Sequence, residues 1–227
     1  MKNFVKQLLG LMCLACALNA NAANVNGLSK WQAVVALRIT LDKATEAAVQ
    51  QLGQENGYMN NAQVHIPLPT GLDDNKHLLK MIGMGKELDN VELSMNRAAE
   101  QSLPLAKLML KKSIRALSAR DAKQLLAGGD NALSSYFKNK AEKELYTQLL
   151  PLVRKKTDEV GLTAQYNLIA EKGSRLGLQQ ARQANLEGYV TEKTLKGLFL
   201  VIAQKEKAIR TNPAGTGSVL LKRVYSK

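Results

Sequence analysis

The chain has 227 residues, 45% of them hydrophobic but only 4% aromatic, with two cysteines and a formal net charge of +13. Both cysteines, Cys13 and Cys16, fall in a segment with the layout of a secretory signal: Lys2 and Lys6, an apolar stretch over 5–18, and Ala20-Asn21-Ala22 as the small residues before cleavage. Removal of residues 1–22 would leave a single domain, 23–227, of 205 residues without a thiol, which excludes disulfides, cysteine redox chemistry and thiolate metal centres.

The apolar stretch is shorter than the roughly 20 residues that span a bilayer, so the expectation is cleavage near Ala22 and a periplasmic protein with no transmembrane helix. The rival is a lipoprotein acylated at Cys16, although Cys13 at its −3 position is a poor match for the aliphatic residue such a site wants. Without Lys2 and Lys6 the chain carries 30 basic and 19 acidic residues, a net of +11. Residues 23–100 hold 7 basic and 9 acidic groups, and residues 101–227 hold 23 and 10, so the excess lies in the C-terminal part. Export turns that charge away from nucleic acid and toward anionic lipid or glycan of the envelope, or toward a protein partner. The plain alternative is a solvated basic surface that keeps the protein soluble.

Ala, Leu, Lys and Gln dominate and no period-2 pattern of useful length appears, which predicts an all-α fold: a single-domain multi-helix bundle. A first helix is expected over 28–54 with Ser29 as N-cap, stopped by Gly57. Pro67 and Pro69 force 64–69 into an extended strap that docks Val64, Ile66 and Leu68. A short helix over 73–84 and a long one over 87–117, kinked near Pro104, come next. Ser118 and Asp121 mark the start of a short helix over 119–127. Asp130 then caps a helix through Ala132, Tyr136 and Phe137, and a further helix covers 141–160 with a bend at Pro151. Helices over 163–172 and from a Thr191 cap to Arg210 precede a turn over 212–217 and a short last helix ending in Val224 and Tyr225.

Within the long helix, Asn96-Arg97-Ala98-Ala99-Glu100 puts Asn96 and Arg97 beside Glu100, with Glu92 one turn earlier. Such a stripe suits a buried hub of ion pairs and hydrogen bonds that sets helix register against a partner helix. It also suits a site: Glu100 as general acid or base, Arg97 holding an anion, Asn96 orienting, with Asp121 or Tyr136 brought near by folding. Glu206 and Arg210, at i and i+4, read as a surface ion pair, and Arg210 joins the binding candidates.

The ordered motifs Gly57-Tyr58, Ile66-Pro67-Leu68-Pro69, Asn96-Arg97-Ala98-Ala99-Glu100, Asp121-Ala122, Tyr136-Phe137, Tyr189-Val190-Thr191, Leu198-Phe199, Glu206 with Ile209-Arg210, Asn212-Pro213 and Leu220-Leu221 together resemble the DUF4197 family of exported bacterial proteins. The resemblance covers the chain from about Leu28 to Tyr225. It implies an exported helical protein and little about activity, because the family is a domain of unknown function. Tyr225 stands where the family more often has phenylalanine, and Pro104 interrupts the helix after the Asn-Arg-Ala-Ala-Glu motif.

Enzyme signatures are weak. Two histidines, His65 and His77, are too few for a histidine-rich metal site, and neither metal nor cofactor is expected. Gly215-Thr216-Gly217-Ser218 lacks the Gly-Lys-Ser/Thr ending of a phosphate loop. Glu92 and Glu100 lie about 12 Å apart along one helix, which leaves no cleft between them for a glycan. The expected function is non-enzymatic binding, with a hydrolase at Asn96, Arg97 and Glu100 or a carrier of a small apolar ligand between helices as the alternatives.

Overall fold

Ser29 starts the first helix. Its hydroxyl accepts from the Gln32 N–H at 3.1 Å while the Gln32 amide accepts from the Ser29 N–H at 3.0 Å, satisfying two donors that would otherwise be orphaned. Helix α1 (Lys30–Leu52) then buries Ala33, Leu37, Leu41, Ala44, Ala48 and Leu52 at helical spacing. The computed structural model describes residues 27–117, 120, 122–175 and 185–226. The expectations for the 1–22 signal, Cys13, Cys16, Ser118 and Asp121 lie outside the described residues.

After the strap come α2 (Thr70–Asp73), α3 (Lys76–Met81), α4 (Gly85–Ala116), α5 (Ala122–Ala127), α6 (Ala132–Glu159), α7 (Leu162–Ser174), α8 (Leu186–Thr211), a 3-10 turn (Pro213–Thr216) and α9 (Val219–Tyr225). Among the described residues there is no strand, and the helices form one all-α domain. None of those helices is long and apolar enough to cross a membrane.

Four long helices make the centre: α6 packs on α4 and α8, and α1 packs on the same two. Their buried faces are mostly Ala, Leu, Val and Ile, so close backbone approach stands in for aromatic bulk. Phe137 and Phe199 are the aromatic exception, meeting edge to face with ring centres 5.7 Å apart. That contact ties α6 to α8.

Several boundaries differ from the sequence expectation, each for a local reason. Helix α6 runs unbroken from Ala132 to Glu159, through Pro151, because Phe137, Ala141, Leu145 and Leu149 continue one buried stripe and nothing between them breaks a helix. The 73–84 helix is divided instead: Asn75 leaves helical geometry (φ −104°, ψ 8°) and donates its amide to Gly71 O at 3.0 Å. Gly83, at φ +85°, makes the left-handed turn into α4, which runs on through Pro104. Asn131, not Asp130, stands at the N-cap position of α6, and Asp130 pairs with Lys207 at 3.1 Å.

Helix α8 begins at Leu186, before Thr191. Asn185 caps it by accepting from Gly188 N at 2.9 Å, and Thr191 is an interior residue whose hydroxyl donates to Glu187 O at 2.6 Å. Gly188 looks like a helix breaker yet belongs inside, since a Cβ there would lie 3.0 Å from the Tyr146 hydroxyl.

Candidate functional site

Between α1 and α2 the chain turns and then runs extended, and this stretch buries Tyr58, Val64, Ile66 and Leu68. Burying apolar side chains drags backbone N–H and C=O groups inside, where each needs a partner that no helix of its own provides. Helix α4 supplies those partners. Glu100 Oε1 accepts from Tyr58 N at 2.9 Å and Met59 N at 3.1 Å, and its Oε2 takes the Arg97 guanidinium at 2.6 Å. Arg97 reaches on to Glu55 at 3.1 Å and to Asn56 Oδ1 at 2.9 Å. Asn56 sits at φ +65°, a left-handed conformation that asparagine tolerates.

Asn96 treats Ile66 as a strand neighbour would, accepting its N–H and donating to its C=O, both at 2.9 Å. A third bond returns to Glu92 O at 2.8 Å. Glu92 lies at 3.2 Å from both His65 and Lys76, clamping the strap and α3 together. Helix α8 closes the other side: the Tyr58 hydroxyl donates to Thr194 O at 2.6 Å, and the Tyr189 hydroxyl to Pro67 O at 3.0 Å. Burial, with the nearby Glu100 charge, pushes the Tyr58 phenol far above its ordinary range.

The stripe expected to meet a partner helix therefore meets a loop and a strap. Asn96 is wholly buried, Glu100 is 2% exposed, and each carboxylate oxygen of Glu100 is already engaged by donors of the protein itself.

A second clasp has the same logic. The i, i+4 spacing of Glu206 and Arg210 reads as a surface ion pair, yet both side chains are fully buried, with guanidinium and carboxylate 2.8 Å apart. Glu206 accepts from Leu133 N at 3.0 Å and Ser134 N at 2.7 Å, the open amides of the first turn of α6. Arg210 donates to the carbonyls of Leu126 at 2.7 Å, Leu125 at 3.1 Å and Gly128 at 3.2 Å, at the end of α5. Each charge thus faces the helix end of opposite partial charge. Asn131 makes no side-chain cap, so Glu206 does that work from a distance. The Arg210 guanidinium also lies 5.0 Å from the centre of the Tyr225 ring, and the Tyr225 hydroxyl is 3.2 Å from Thr40 Oγ1 on α1. Burial raises the Tyr225 phenol, opposed in part by Arg210.

The sequence candidates do not form one cluster. Asn96, Arg97 and Glu100 make the first clasp, Arg210 belongs to the second, and Asp121 is outside the described residues. Tyr136 is half-buried and borders a small recess of about 280 Å³ beside Ser113 and Leu117. Ser113 lies 13 residues beyond Glu100 on α4, roughly 20 Å along the helix. Folding does not bring Tyr136 to the Glu100 end.

What the motifs did not reveal is a cleft of about 360 Å³ between the strap, α6 and α8. Lys138 of α6 and Lys193 and Lys196 of α8 line it together with Ser135, and Phe199 and Leu200 contribute apolar wall. No carboxylate is among its described lining residues. Lys138 has Glu142 at 3.7 Å, Lys193 lies 5.2 Å from the Tyr189 ring centre, and Lys196 has no ion pair or hydrogen bond among the described residues. The strap wall is set by the first clasp, because the backbone bonds at Ile66 place His65 and Pro67 at the cleft. Gly197 lets that wall lie flush: a Cβ there would be 2.8 Å from Tyr58 Cε1. The only sequence signal was the i, i+3 spacing of Lys193 and Lys196, which says nothing of Lys138.

Fold and geometry define an all-helical single-domain protein whose connecting segments are held by two carboxylate–guanidinium clasps, the second fully buried and the first with its Arg97 partly exposed. The chain belongs to the DUF4197 family, described as proteins of unknown function, whose model matches residues 27–226. Among curated proteins and among solved structures, nothing matches the chain at a significant level.

Proposed function

We propose that this is a non-enzymatic periplasmic binding protein, exported by a signal cleaved near Ala22, whose basic C-terminal part contacts an anionic component of the envelope. The observation that carries the reading is the lysine-lined cleft, whose three cations all come from the basic half of the chain, with no carboxylate among the described lining residues. Export supports it from another side, since lipid head groups and surface glycans are the abundant polyanions of an envelope. Acid–base chemistry at Glu100 is the weaker reading, because a general acid or base must reach a substrate proton and both Glu100 oxygens are taken up inside the protein.

Two measurements test it. Intact-mass analysis of the native protein is expected to give an N-terminus at Ala23; acylation at Cys16 would make it membrane-tethered instead. Co-sedimentation with phosphatidylglycerol vesicles should fall away as ionic strength rises from roughly 0.05 to 0.5 M, because exposed charges are screened over that range. Binding that ignores salt, or none to anionic lipid or glycan, overturns the proposal.

A further inference from the structure

We infer that the cleft between the strap, α6 and α8 is a small-molecule site for an amphipathic anion: one phosphate or carboxylate group on a short apolar chain. The inference rests on the anion-binding reading above and names the ligand class for it. Three features narrow the class. Lys138, Lys193 and Lys196 line the cleft from two helices, and no carboxylate is among its described lining residues, a balance that favours a negative head group. Phe199 and Leu200 lie in the same wall, and Leu200 is 41% exposed, an apolar surface that a bare inorganic anion would not cover.

Volume is the third. At roughly 30 Å³ for each water-sized group, 360 Å³ holds about a dozen non-hydrogen atoms. A two-chain lipid or a polymer is too large to enter whole. A head group with a chain of about eight carbons fits, its charge among the ammonium groups and its tail along Phe199 and Leu200. Lysine suits this arrangement, since its methylene stem adds to the apolar wall while the ammonium stays at the head group.

The test is calorimetric titration of the protein as purified from the cell with octyl phosphate and, separately, octanoate. Octanol, inorganic phosphate and octyltrimethylammonium serve as comparisons lacking the charge, the tail or the sign. One of the two amphipathic anions is expected to bind at one site per chain and tighter than all three comparisons. Lys138→Gln/Lys196→Gln should weaken it on the order of tenfold or more, the loss expected for charge-assisted contacts. Leu200→Gln should weaken the amphipathic anion and leave inorganic phosphate unchanged. These lining residues are exposed or part-exposed and outside the buried core, and unchanged thermal midpoints will show that the variants fold. Binding of neither anion, or binding indifferent to all the substitutions, overturns the inference. Vesicle binding measured in parallel separates the two ideas. Salt-sensitive vesicle binding without cleft binding rejects this site and keeps the broader function. Cleft binding without any vesicle or glycan binding keeps the site and rejects the envelope-polyanion reading.

Discussion

Glu206 and Arg210 form an ion pair on α8 that solvent does not reach, and through it one helix holds the end of α5 and the beginning of α6 at once. Taking two charges out of water costs several kcal/mol per ion, and the pair is tolerable because both are also hydrogen-bonded to helix-end backbone groups. The ion pair is less a source of net stability than a device that makes one arrangement of α5, α6 and α8 satisfiable.

Breaking it from one side should be severe. Arg210→Met leaves Glu206 buried without its cation and is expected to cost about 3–5 kcal/mol in urea unfolding, a large share of a typical domain's stability. The double variant Glu206→Gln/Arg210→Met should cost clearly less than the sum of the singles, because no uncompensated charge remains. Additive losses would show that the pair is not coupled as the geometry requires.

The first clasp should answer locally. Glu100→Ala strands the buried amide of Tyr58, at about 1–3 kcal/mol for a buried group left unsatisfied, and frees the part-buried amide of Met59 at lower cost. Hydrogen exchange should quicken at Tyr58, Met59 and Ile66 while Leu133 and Ser134, held by Glu206, keep their protection. Uniform quickening over both sets would mean that Glu100 supports the whole fold and not the strap.

Gly197→Ala sets helix propensity against packing. Alanine is favoured over glycine inside a helix by about 1 kcal/mol, but the new methyl would stand 2.8 Å from Tyr58 Cε1 and 3.1 Å from Val64 Cβ. Overpacking of that kind costs about 1–3 kcal/mol, so the thermal midpoint should fall. Gly129→Ala, in the loop between α5 and α6 where a Cβ meets no atom within 4 Å, is a comparison without a packing conflict and should leave the midpoint unchanged or slightly raised.

Alkaline pH should unfold the protein through its buried phenols. The folded-state pKa values of Tyr58 and Tyr225 lie above the unfolded value near 10, so the unfolded chain gives up these protons first. Their contribution is complete below about pH 10 and is lost as pH rises from there toward the folded values. Urea midpoints should drop between about pH 9 and 11, with tyrosinate absorbance from these two residues appearing only as the fold is lost. Tyr58→Phe removes one of the groups and should make the decline shallower.

Helical content was legible in the sequence because it depends on neighbours. Alternating small and aliphatic residues at i, i+3 and i+4 fix which face of α1, α4 or α8 is buried, and Pro67 and Pro69 fix the strap, with no reference to distant parts of the chain. Asn96 and Glu100 stood out for the same reason, as polar residues on an otherwise buried stripe of α4. Glu206 and Arg210 occupy the stripe of Leu195, Leu198 and Ile202, and weighing that periodicity above the i, i+4 charge pattern would have placed them inside.

What these side chains hold was decided only in three dimensions. Glu100 serves amides 42 and 41 positions away, Arg210 serves carbonyls up to 85 positions away, and the cleft exists only because Lys138 and Lys196 arrive from different helices. A residue's own helix sets the direction in which its side chain points, but which backbone groups lie buried and unpaired in that direction depends on how all the helices pack. Local sequence patterning set the basic excess, the helices and the strap; tertiary packing assigned the polar partners, because a buried hydrogen bond is chosen by proximity after folding and leaves no period along the chain.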